Sequence, residues 1–359
     1  MDTARSLRLI LSSLALASLG VVAVAQTTAP LAPVTVTGKA VRDPVEKSYR
    51  QMLKGMDLFE RHHALAPQAS LRFKLLPRKR DTDMKRVRVD VVGRDVDFQL
   101  PLAADQTFVL PRNRQAYDEN AVVTPNRRAL TMTWRSEIRT PGLPLATRRL
   151  GDLRLECEVG MEAGLISNNR GLFDRITEFF TDSPNYCGGR NQRYLFFAER
   201  PIFSVTLVDG GRRQTVPADR LYGGAGFDPT LPAELPYCDC EVLLERTYFL
   251  PLGDRSWPDD TLVEFEFMDE PAPALAAAEV LPLQRALDAV AIGRSTRAEL
   301  VAALGPMTTV RFDNGYTVAV YRGAPLKKDG DAPELVVLFA PSGEAVKARV
   351  RPAEDNRQP

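Results

Sequence analysis

The sequence Thr296-Arg297-Ala298-Glu299 marks a helix start inside residues 281–352, the segment that says most about how this 359-residue chain folds. Its threonine and glutamate have the spacing of a capping box, in which each side chain satisfies a free backbone N–H at the helix start. Gly305-Pro306 then ends the helix with a left-handed cap and a residue that cannot continue it. The boundaries of this helix are therefore predicted at both ends.

Strands are predicted after this helix. Leu300, Val301 and Leu304 form the predicted apolar face of the helix. Asp313-Asn314-Gly315 then predicts a tight turn into a first strand at Tyr316–Arg322.

Two further strands follow, Leu335–Ala340 and Ala345–Arg351, and the turn Pro341-Ser342-Gly343 separates them. Residues 281–352 are therefore predicted as two helices followed by three antiparallel strands.

This segment resembles a known family in its turns and caps. The motif positions are Gly293, Thr296, Glu299, Gly305, Asn314 and Gly315, within the runs 293–300, 304–306, 312–316 and 320–322. The pattern resembles the SmpA/OmlA (BamE-like) domain, found in small envelope proteins that assist outer-membrane assembly. The resemblance covers about a fifth of the chain. It implies a helix pair packed on one face of a small antiparallel sheet, and a role in binding other envelope components.

The strand Leu335–Ala340 is apolar on both of its faces. One face is predicted to meet the helix pair, and the other is left with apolar side chains. The predicted interaction face consists of Ala319, Tyr321, Val336 and Leu338. An uncovered apolar face usually marks an interface, so a partner protein is one interpretation. The other is that the preceding part of the same chain covers this face.

The N-terminus predicts export. Arg5 and Arg8 precede an apolar run, Leu9–Val24, and Ala23-Val24-Ala25 offers the small residues that a signal peptidase recognises, so cleavage is expected before Gln26. The run is too short to favour a retained membrane span. No cysteine follows it to accept a lipid anchor. We therefore expect a periplasmic protein that is neither lipid-anchored nor an integral membrane protein.

The remaining chain is predicted as an α+β protein. The predicted parts are a signal peptide (1–25), a flexible spacer (26–41), a β-rich domain with an N-terminal helix (42–268), a linker (269–280), the BamE-like domain (281–352) and a tail (353–359). The first helix is predicted to begin at Asp43-Pro44-Val45-Glu46. Apolar and polar residues alternate in Leu130–Arg139 and again in Leu153–Val159, which predicts strands with one buried and one wet face. Many short strands favour an antiparallel, sandwich-like arrangement.

The charge balance bears on partners. The net charge is +1, and removal of the leader, with Asp2, Arg5 and Arg8, brings it to about zero. A neutral surface argues against nucleic acid as a partner. The one dense basic stretch, 78–88, is interpreted as a solvated loop that leads into a strand. An anionic lipid or glycan surface is the alternative partner for it.

All four cysteines lie in the β-rich part: Cys157, Cys187, Cys238 and Cys240. An even number in an exported protein predicts disulfide bonds. Because Cys238 and Cys240 are too close for an easy mutual bond, each is expected to pair with Cys157 or Cys187. A redox or metal site at Cys238-Asp239-Cys240 is the alternative.

Catalytic motifs are missing from the sequence. There is no G-x-S-x-G and no H-E-x-x-H, and the histidines are confined to His62 and His63. Adjacent residues on a helix point about 100° apart, so this pair does not make a two-ligand metal face. His62 and His63 are instead predicted to cap the C-terminus of the first helix. The sequence therefore predicts a protein that is not an enzyme and has no cofactor and no metal.

Three functions follow from these observations. The leading hypothesis is a non-enzymatic periplasmic protein that supports envelope assembly or maintenance through contacts with envelope proteins. The second is a binding module in which aromatic side chains hold a glycan, a peptide or a lipid. Its candidate residues are Tyr194, Phe196, Phe197, Phe203, Tyr222 and Phe227. The third is a thiol redox or metal-binding protein that uses Cys238 and Cys240.

Overall fold

The computed structural model describes residues 46–127, 131–165, 183–189, 193–224, 243–270, 281–323 and 332–353. The predicted signal peptide and spacer lie outside these residues, as do a helix predicted at 171–180 and most of the predicted linker. The described residues all belong to one compact unit that spans 42–359.

The helices are short and lie between groups of strands. They are α1 (Tyr49–His62), α2 (Arg114–Asp118), α3 (Leu150–Glu162), α4 (Ser183–Gly188), α5 (Leu281–Asp288) and α6 (Arg297–Leu304), with single 3-10 turns at His63–Leu65, Ala218–Arg220, Tyr222–Gly224 and Leu244–Arg246. Within the described ranges, none of them has both the length and the apolar composition needed to cross a lipid bilayer.

The strands form antiparallel sheets. They are β1 (Lys47–Ser48), β2 (Ser70–Pro77), β3 (Val89–Val92), β4 (Asp97–Leu100), β5 (Thr107–Phe108), β6 (Val122–Pro125), β7 (Met132–Arg139), β8 (Thr147–Arg149), β9 (Phe196–Phe197), β10 (Ile202–Asp209), β11 (Arg212–Thr215), β12 (Thr247–Tyr248), β13 (Leu262–Phe267), β14 (Thr308–Arg311), β15 (Thr317–Arg322), β16 (Glu334–Phe339) and β17 (Ala345–Arg351). Their orders are β1-β6-β3-β4, β5-β2-β7, β11-β10-β13-β8, β9-β12 and β14-β15-β16-β17. The α+β class is confirmed.

The first helix begins later than the sequence predicts. Lys47 and Ser48 pair with β6, and Ser48 caps α1 by accepting a hydrogen bond from the backbone N–H of Gln51 at 3.3 Å. The predicted start at 43–46 is therefore wrong at Glu46, which is exposed and outside the helix. The buried residues of α1 include Tyr49, Met52 and Phe59.

The segment predicted as a strand at Leu153–Val159 is helix α3. Leu150, Leu153 and Cys157 enter one hydrophobic core, whereas Leu155 and Val159 enter a second. These spacings of three and four residues are helical. The charged residues fall between the two apolar stripes, so the sequence alternates as a strand would.

The strand predicted at Leu130–Arg139 exists as β7, but its second face is not wet. Thr133, Arg135 and Glu137 are all buried, as are their apolar neighbours on the strand. Because β7 lies beside β2 and against α3, its polar side chains point into the protein and find partners there. Residues 128–130, at the predicted start, lie outside the described residues.

The C-terminal sheet has four strands, one more than predicted, because Thr308–Arg311 pairs with β15 as β14. One face packs under α5 and α6 in a core that includes Leu283, Leu300 and Val337. The other face lies in a core shared with the β-rich region. That shared core contains Phe203 and Tyr222 together with Phe312, Val318, Val320, Val336 and Leu338.

Polar contacts join the same two regions. Lys347 Nζ donates to Glu266 Oε1 at 2.9 Å and to the carbonyl of Phe267 at 2.7 Å. The backbone N–H of Ala218 donates to Glu334 Oε2 at 3.1 Å. The C-terminal sheet therefore completes the core of the chain that precedes it.

Candidate functional site

A cluster of charges lies where β2, β7, β8 and α3 meet. We call it the α3 charge cluster, and its members are the buried residues Lys74, Arg135, Glu137, Arg148 and Glu156 and the exposed residue Glu199. Arg148 donates from one guanidinium nitrogen to Glu156 Oε2 and to the carbonyl of Ile138, each at 2.7 Å. Arg135 donates to Glu137 and lies 3.8 Å from Glu156.

Lys74 closes the cluster by donating to Glu199 at 2.5 Å. Each carboxylate thus faces at least one cation. Burial raises the pKa of Glu137, but the charges of Arg135 and Arg148 outweigh that effect and hold it well below its usual range. For Glu156, burial outweighs the neighbouring arginines and raises the pKa.

The other charges of α3 are also engaged. Arg154 donates to Asp259 Oδ1 at 2.6 Å and to three backbone carbonyls. Asp152 accepts from the backbone N–H and the hydroxyl of Thr140. Glu158 lies 2.6 Å from Nδ1 of His62. The charges of α3 therefore fix a buried helix in place, which is a structural task.

A different arrangement of charge lies on the surface beside the start of β3 and the end of β6. We call it the basic cleft. It has a volume of about 410 Å³, and it is lined by Asp83, Arg86, Val87, Arg88, Asn126 and Arg127. Three arginines against one aspartate give the lining a net positive charge. The cleft includes part of the basic stretch at 78–88, and its cations at Arg86 and Arg88 are exposed, as predicted for a solvated loop.

Arg78 and Arg80, in the same basic stretch, differ from that prediction. Arg78 is buried, and Arg80 donates to the buried carboxylate of Glu245 at 2.7 Å. Arg78 is therefore enclosed in the fold and Arg80 is tied to it through Glu245, although Lys79 and Arg80 remain exposed.

A second surface cleft has balanced charge, and we call it the mixed-charge cleft. It encloses about 630 Å³ and is lined by Arg94, Arg114, Gln115, Asp118 and Glu119. Glu119 accepts hydrogen bonds from the backbone N–H groups of Asp95 and Val96, which help to lower its pKa. Arg114 lies 3.5 Å from Asp118. Its two arginines and two carboxylates leave no excess charge for a ligand to balance.

The predicted cysteine pairing is wrong in one respect. Cys157 in α3 and Cys187 in α4 form a disulfide with each other, across a separation of 30 residues. Neither is therefore free to bond to Cys238 or Cys240, which lie outside the described residues.

The four residues of the predicted interaction face do not share a face. Val336 and Leu338 are buried in the core shared with the β-rich region, so the same chain covers them. Ala319 lies opposite Val337 and Tyr321 opposite Leu335, which places both on the helix-covered face. In the antiparallel register Val320 lies opposite Val336 and shares its face of the sheet. Its neighbours Ala319 and Tyr321 therefore lie on the other face.

The residues of the family motif form caps and turns. Thr296 and Glu299 make the predicted capping box, with the backbone N–H of Thr296 donating to the Glu299 carboxylate at 2.8 Å. Asn314 Oδ1 accepts from the backbone N–H of Tyr316 at 3.0 Å. The motif glycines Gly293, Gly305 and Gly315 have positive φ angles. All six motif positions therefore have structural roles in helix caps and turns.

The aromatic candidates are mostly core residues. Tyr194, Phe196, Phe203 and Tyr222 are buried, Phe197 is half-buried, and Phe227 lies outside the described residues. The ring centroids of Tyr194 and Phe196 lie 4.8 Å apart, and the ring of Phe196 stacks on that of Tyr248 with the centroids 5.3 Å apart. These rings fill the interior and do not line a groove in the described structure.

His62 and His63 have separate partners. His62 pairs with Glu158, whereas His63 forms the C-cap of α1 and its Nε2 lies 2.9 Å from the carbonyl of Ala69. The predicted capping role therefore holds for His63 alone.

Helix α6 exposes apolar side chains that the sequence analysis assigned to its packed face. Val301, predicted to be buried with Leu300 and Leu304, is 40% exposed. Ala298, Val301 and Ala302 lie at positions i, i+3 and i+4, and all three are exposed. We call this row the α6 stripe. Only Leu300 of the eight residues of α6 is buried.

Sequence patterns do not identify Asn126 and Arg127 as members of the basic cleft. Both residues contact positions about 40 residues earlier in the chain, such as Arg86 and Lys85. No sequence motif at that separation indicates such a contact.

Comparison with known protein families, with curated proteins and with solved structures finds no match to this chain.

Proposed function

We propose that the protein is a non-enzymatic periplasmic protein that supports cell-envelope assembly or maintenance by binding other envelope proteins. The observation that carries this proposal is the α6 stripe. A helix with apolar residues on both faces is usually buried on both. Six of the eight residues of α6 are apolar, yet only Leu300 is buried.

The inward side of α6 already has its partners, because Leu300 and Leu304 pack against the C-terminal sheet. The outward row of Ala298, Val301 and Ala302 is left in water, and Ile292 just before the helix is 47% exposed. Apolar surface of this kind is typical of contacts with another protein.

Export is supported by two observations of different kinds. The N-terminal sequence has the charge, apolar run and small residues of a signal peptide. The Cys157–Cys187 disulfide is compatible with an oxidising compartment. The resemblance of residues 281–352 to an envelope domain is the reason that we expect envelope proteins as partners.

The test is photo-crosslinking in intact cells, with a crosslinking amino acid at position 301 of the full chain. A matched control carries it at position 109, where Val109 of the β-rich region is 52% exposed. We expect specific envelope proteins to be captured at position 301 and not at position 109.

Two variants sharpen the test. Val301→Asp is expected to abolish capture by a crosslinker at position 298 without lowering the melting temperature, and Val109→Asp to leave capture unchanged. Equal capture at positions 301 and 109, or no envelope protein above background at 301, would overturn the proposal.

A further inference from the structure

The loop that forms the basic cleft is folded around one arginine. Arg127 Nε donates to the carbonyl of Asp83 at 2.8 Å, and another of its nitrogens donates to the carbonyl of Lys85. A third donates to the carbonyl and the side-chain oxygen of Asn126, each at 2.9 Å. All four of these hydrogen bonds go to neutral oxygens, and the carboxylate of Asp83, whose Oδ2 lies 3.8 Å from Arg127, is the one anionic group in the lining.

Asn126 fixes the rest of the loop. Its side-chain oxygen accepts from the backbone N–H of Arg88 at 2.8 Å, and its amide donates to the carbonyl of Arg86 at 3.3 Å. Asp83 uses its Oδ1 to accept from the backbone N–H of Lys85 at 2.8 Å. With these backbone groups tied to 126 and 127, the side chains of Arg86 and Arg88 project from a fixed frame and remain exposed.

Arg86 has a backbone conformation that arginine rarely adopts, with φ at +55°. A residue with a Cβ is strained there, whereas glycine is not. Strain of this kind is retained where the neighbouring structure imposes it, and it is common at ligand-binding sites. The chain thus keeps an arginine at the mouth of the cleft where glycine would fit with less strain.

We propose that the basic cleft is a binding site for a phosphate-bearing ligand, with Arg86 and Arg88 as its anchoring residues. Guanidinium groups bind phosphate through paired, charge-assisted hydrogen bonds. The lining carries three arginines and one carboxylate, and its net charge of two matches the charge of about −1.5 to −2 on a phosphate monoester. A volume of about 410 Å³ leaves room for more than the phosphate group itself.

The mixed-charge cleft is an internal comparison. It is larger, at about 630 Å³, but its arginines Arg94 and Arg114 have Asp118 and Glu119 beside them. Volume alone would favour the mixed-charge cleft as a ligand site, whereas net positive charge favours the smaller basic cleft. The proposal does not involve residues 281–352, so it stands or falls independently of the contacts proposed for α6.

Binding is tested on the folded chain with three probes: inorganic phosphate, pyrophosphate, and vesicles of phosphatidylglycerol in phosphatidylcholine. Titration calorimetry measures the soluble anions, and vesicle co-sedimentation measures the lipid. Binding to the vesicles alone would identify a lipid headgroup as the source of the phosphate. Binding to the soluble anions alone would identify a free phosphate compound. Binding to none of the three would overturn the proposal.

Charge-matched variants separate a site from a general attraction. Arg88→Glu is expected to weaken binding at least tenfold, and its backbone bond to Asn126 is retained. Arg114→Glu changes the net charge equally in the mixed-charge cleft, where Arg114 is 94% exposed, and it is expected to change binding less than twofold. Equal losses in the two variants would show that only overall charge matters, which contradicts the proposal.

Arg86→Gly provides a readout that a structural role would not give. The variant is expected to raise the melting temperature, because the strain at positive φ is relieved, and to weaken phosphate binding several-fold. Gln106→Gly is the matched control, since Gln106 has a φ of +64° and lies outside the cleft. It is expected to raise the melting temperature and leave binding unchanged. Unchanged binding in Arg86→Gly would remove Arg86 from the site.

Discussion

Helix α3 is rich in charged residues but buried, whereas helix α6 is rich in apolar residues but exposed. α3 carries Asp152, Arg154, Glu156 and Glu158, yet every residue from Leu150 to Gly160 is buried. α6 is mostly apolar, yet it is almost wholly exposed. Burial in this protein therefore follows the partners that the fold supplies. It does not follow the polarity of the segment.

The partners explain why α3 tolerates its position. An isolated charge in a protein interior is very costly, and a paired, hydrogen-bonded one is much less so. The partners come from β7, β8, α1 and the segment just before β13, and the Cys157–Cys187 disulfide adds a covalent link to α4. α6 has partners on one side only, which leaves its other side available for contacts with another molecule.

The largest effect is expected when a charge of α3 loses its partner. Arg148→Met removes the cation that donates to Glu156 Oε2 and leaves that buried carboxylate with Arg135 alone, 3.8 Å away. Breaking a buried ion pair typically costs about 3 to 5 kcal/mol. We expect a loss of this size in the free energy of unfolding, measured by urea denaturation.

Glu264→Gln is the control for that experiment, since Glu264 pairs with Arg213 at the surface at 2.6 Å. A surface pair contributes about 0 to 1 kcal/mol. Losses of similar size in the two variants would contradict the importance assigned to the α3 charge cluster.

The disulfide is the second device that holds α3. Cys157→Ala combined with Cys187→Ala opens a link across 30 residues. Removing such a link is expected to cost about 2 to 4 kcal/mol by freeing the unfolded chain. Urea denaturation of the double variant, compared with the oxidised parent, checks this. An unchanged midpoint would show that the ion pairs alone hold the helix.

A third experiment uses pH to weaken the same cluster. Glu137 has a pKa below its usual range, so its contribution to stability is present above the ordinary glutamate value of about 4.3 and is lost as pH falls below it. Between pH 7 and pH 3 the parent should lose more stability than Glu137→Gln. Urea midpoints across this range provide the measurement, and parallel curves would exclude Glu137 as a source of the acid sensitivity.

The smallest effect is expected in α6. Val301→Ala removes exposed apolar atoms and introduces the residue with the highest helix propensity, so stability should stay within about 0.5 kcal/mol of the parent or rise slightly. Leu155→Ala in α3 is the contrasting variant, with an expected loss of about 2 to 5 kcal/mol. Thermal melting of both variants compares the two changes in stability. A large loss for Val301→Ala would mean that the outer side of α6 is packed.

Local signals predicted some elements well. The capping box at Thr296 and Glu299 gives the start of α6, and the strand predicted at Ala345–Arg351 is β17 with the same bounds. These signals lie within a few neighbouring residues. The α+β class follows from them.

The sequence did not indicate which distant segment packs against each face of a helix or strand. Glu156 and Arg148 lie eight residues apart and pair only because α3 is a helix beside β8, so alternating charge was taken for a strand. The choice between a partner protein and the same chain as the cover of Val336 stayed open, because the side chains that share its core, such as Phe203, lie far away in the chain. The basic cleft was missed for the same reason, since Asn126 and Arg127 complete a loop that begins at Asp83.

The late position of the C-terminal sheet has a consequence for biosynthesis. Ribosomes make β10 and Tyr222 long before β16 and β17, whose residues help to bury them. A growing chain therefore carries exposed Phe203 and Tyr222 until β16 and β17 have been made. Incomplete chains with exposed apolar surface are prone to aggregate and are bound by chaperones. We expect this polypeptide to depend on such holding factors until β17 has emerged.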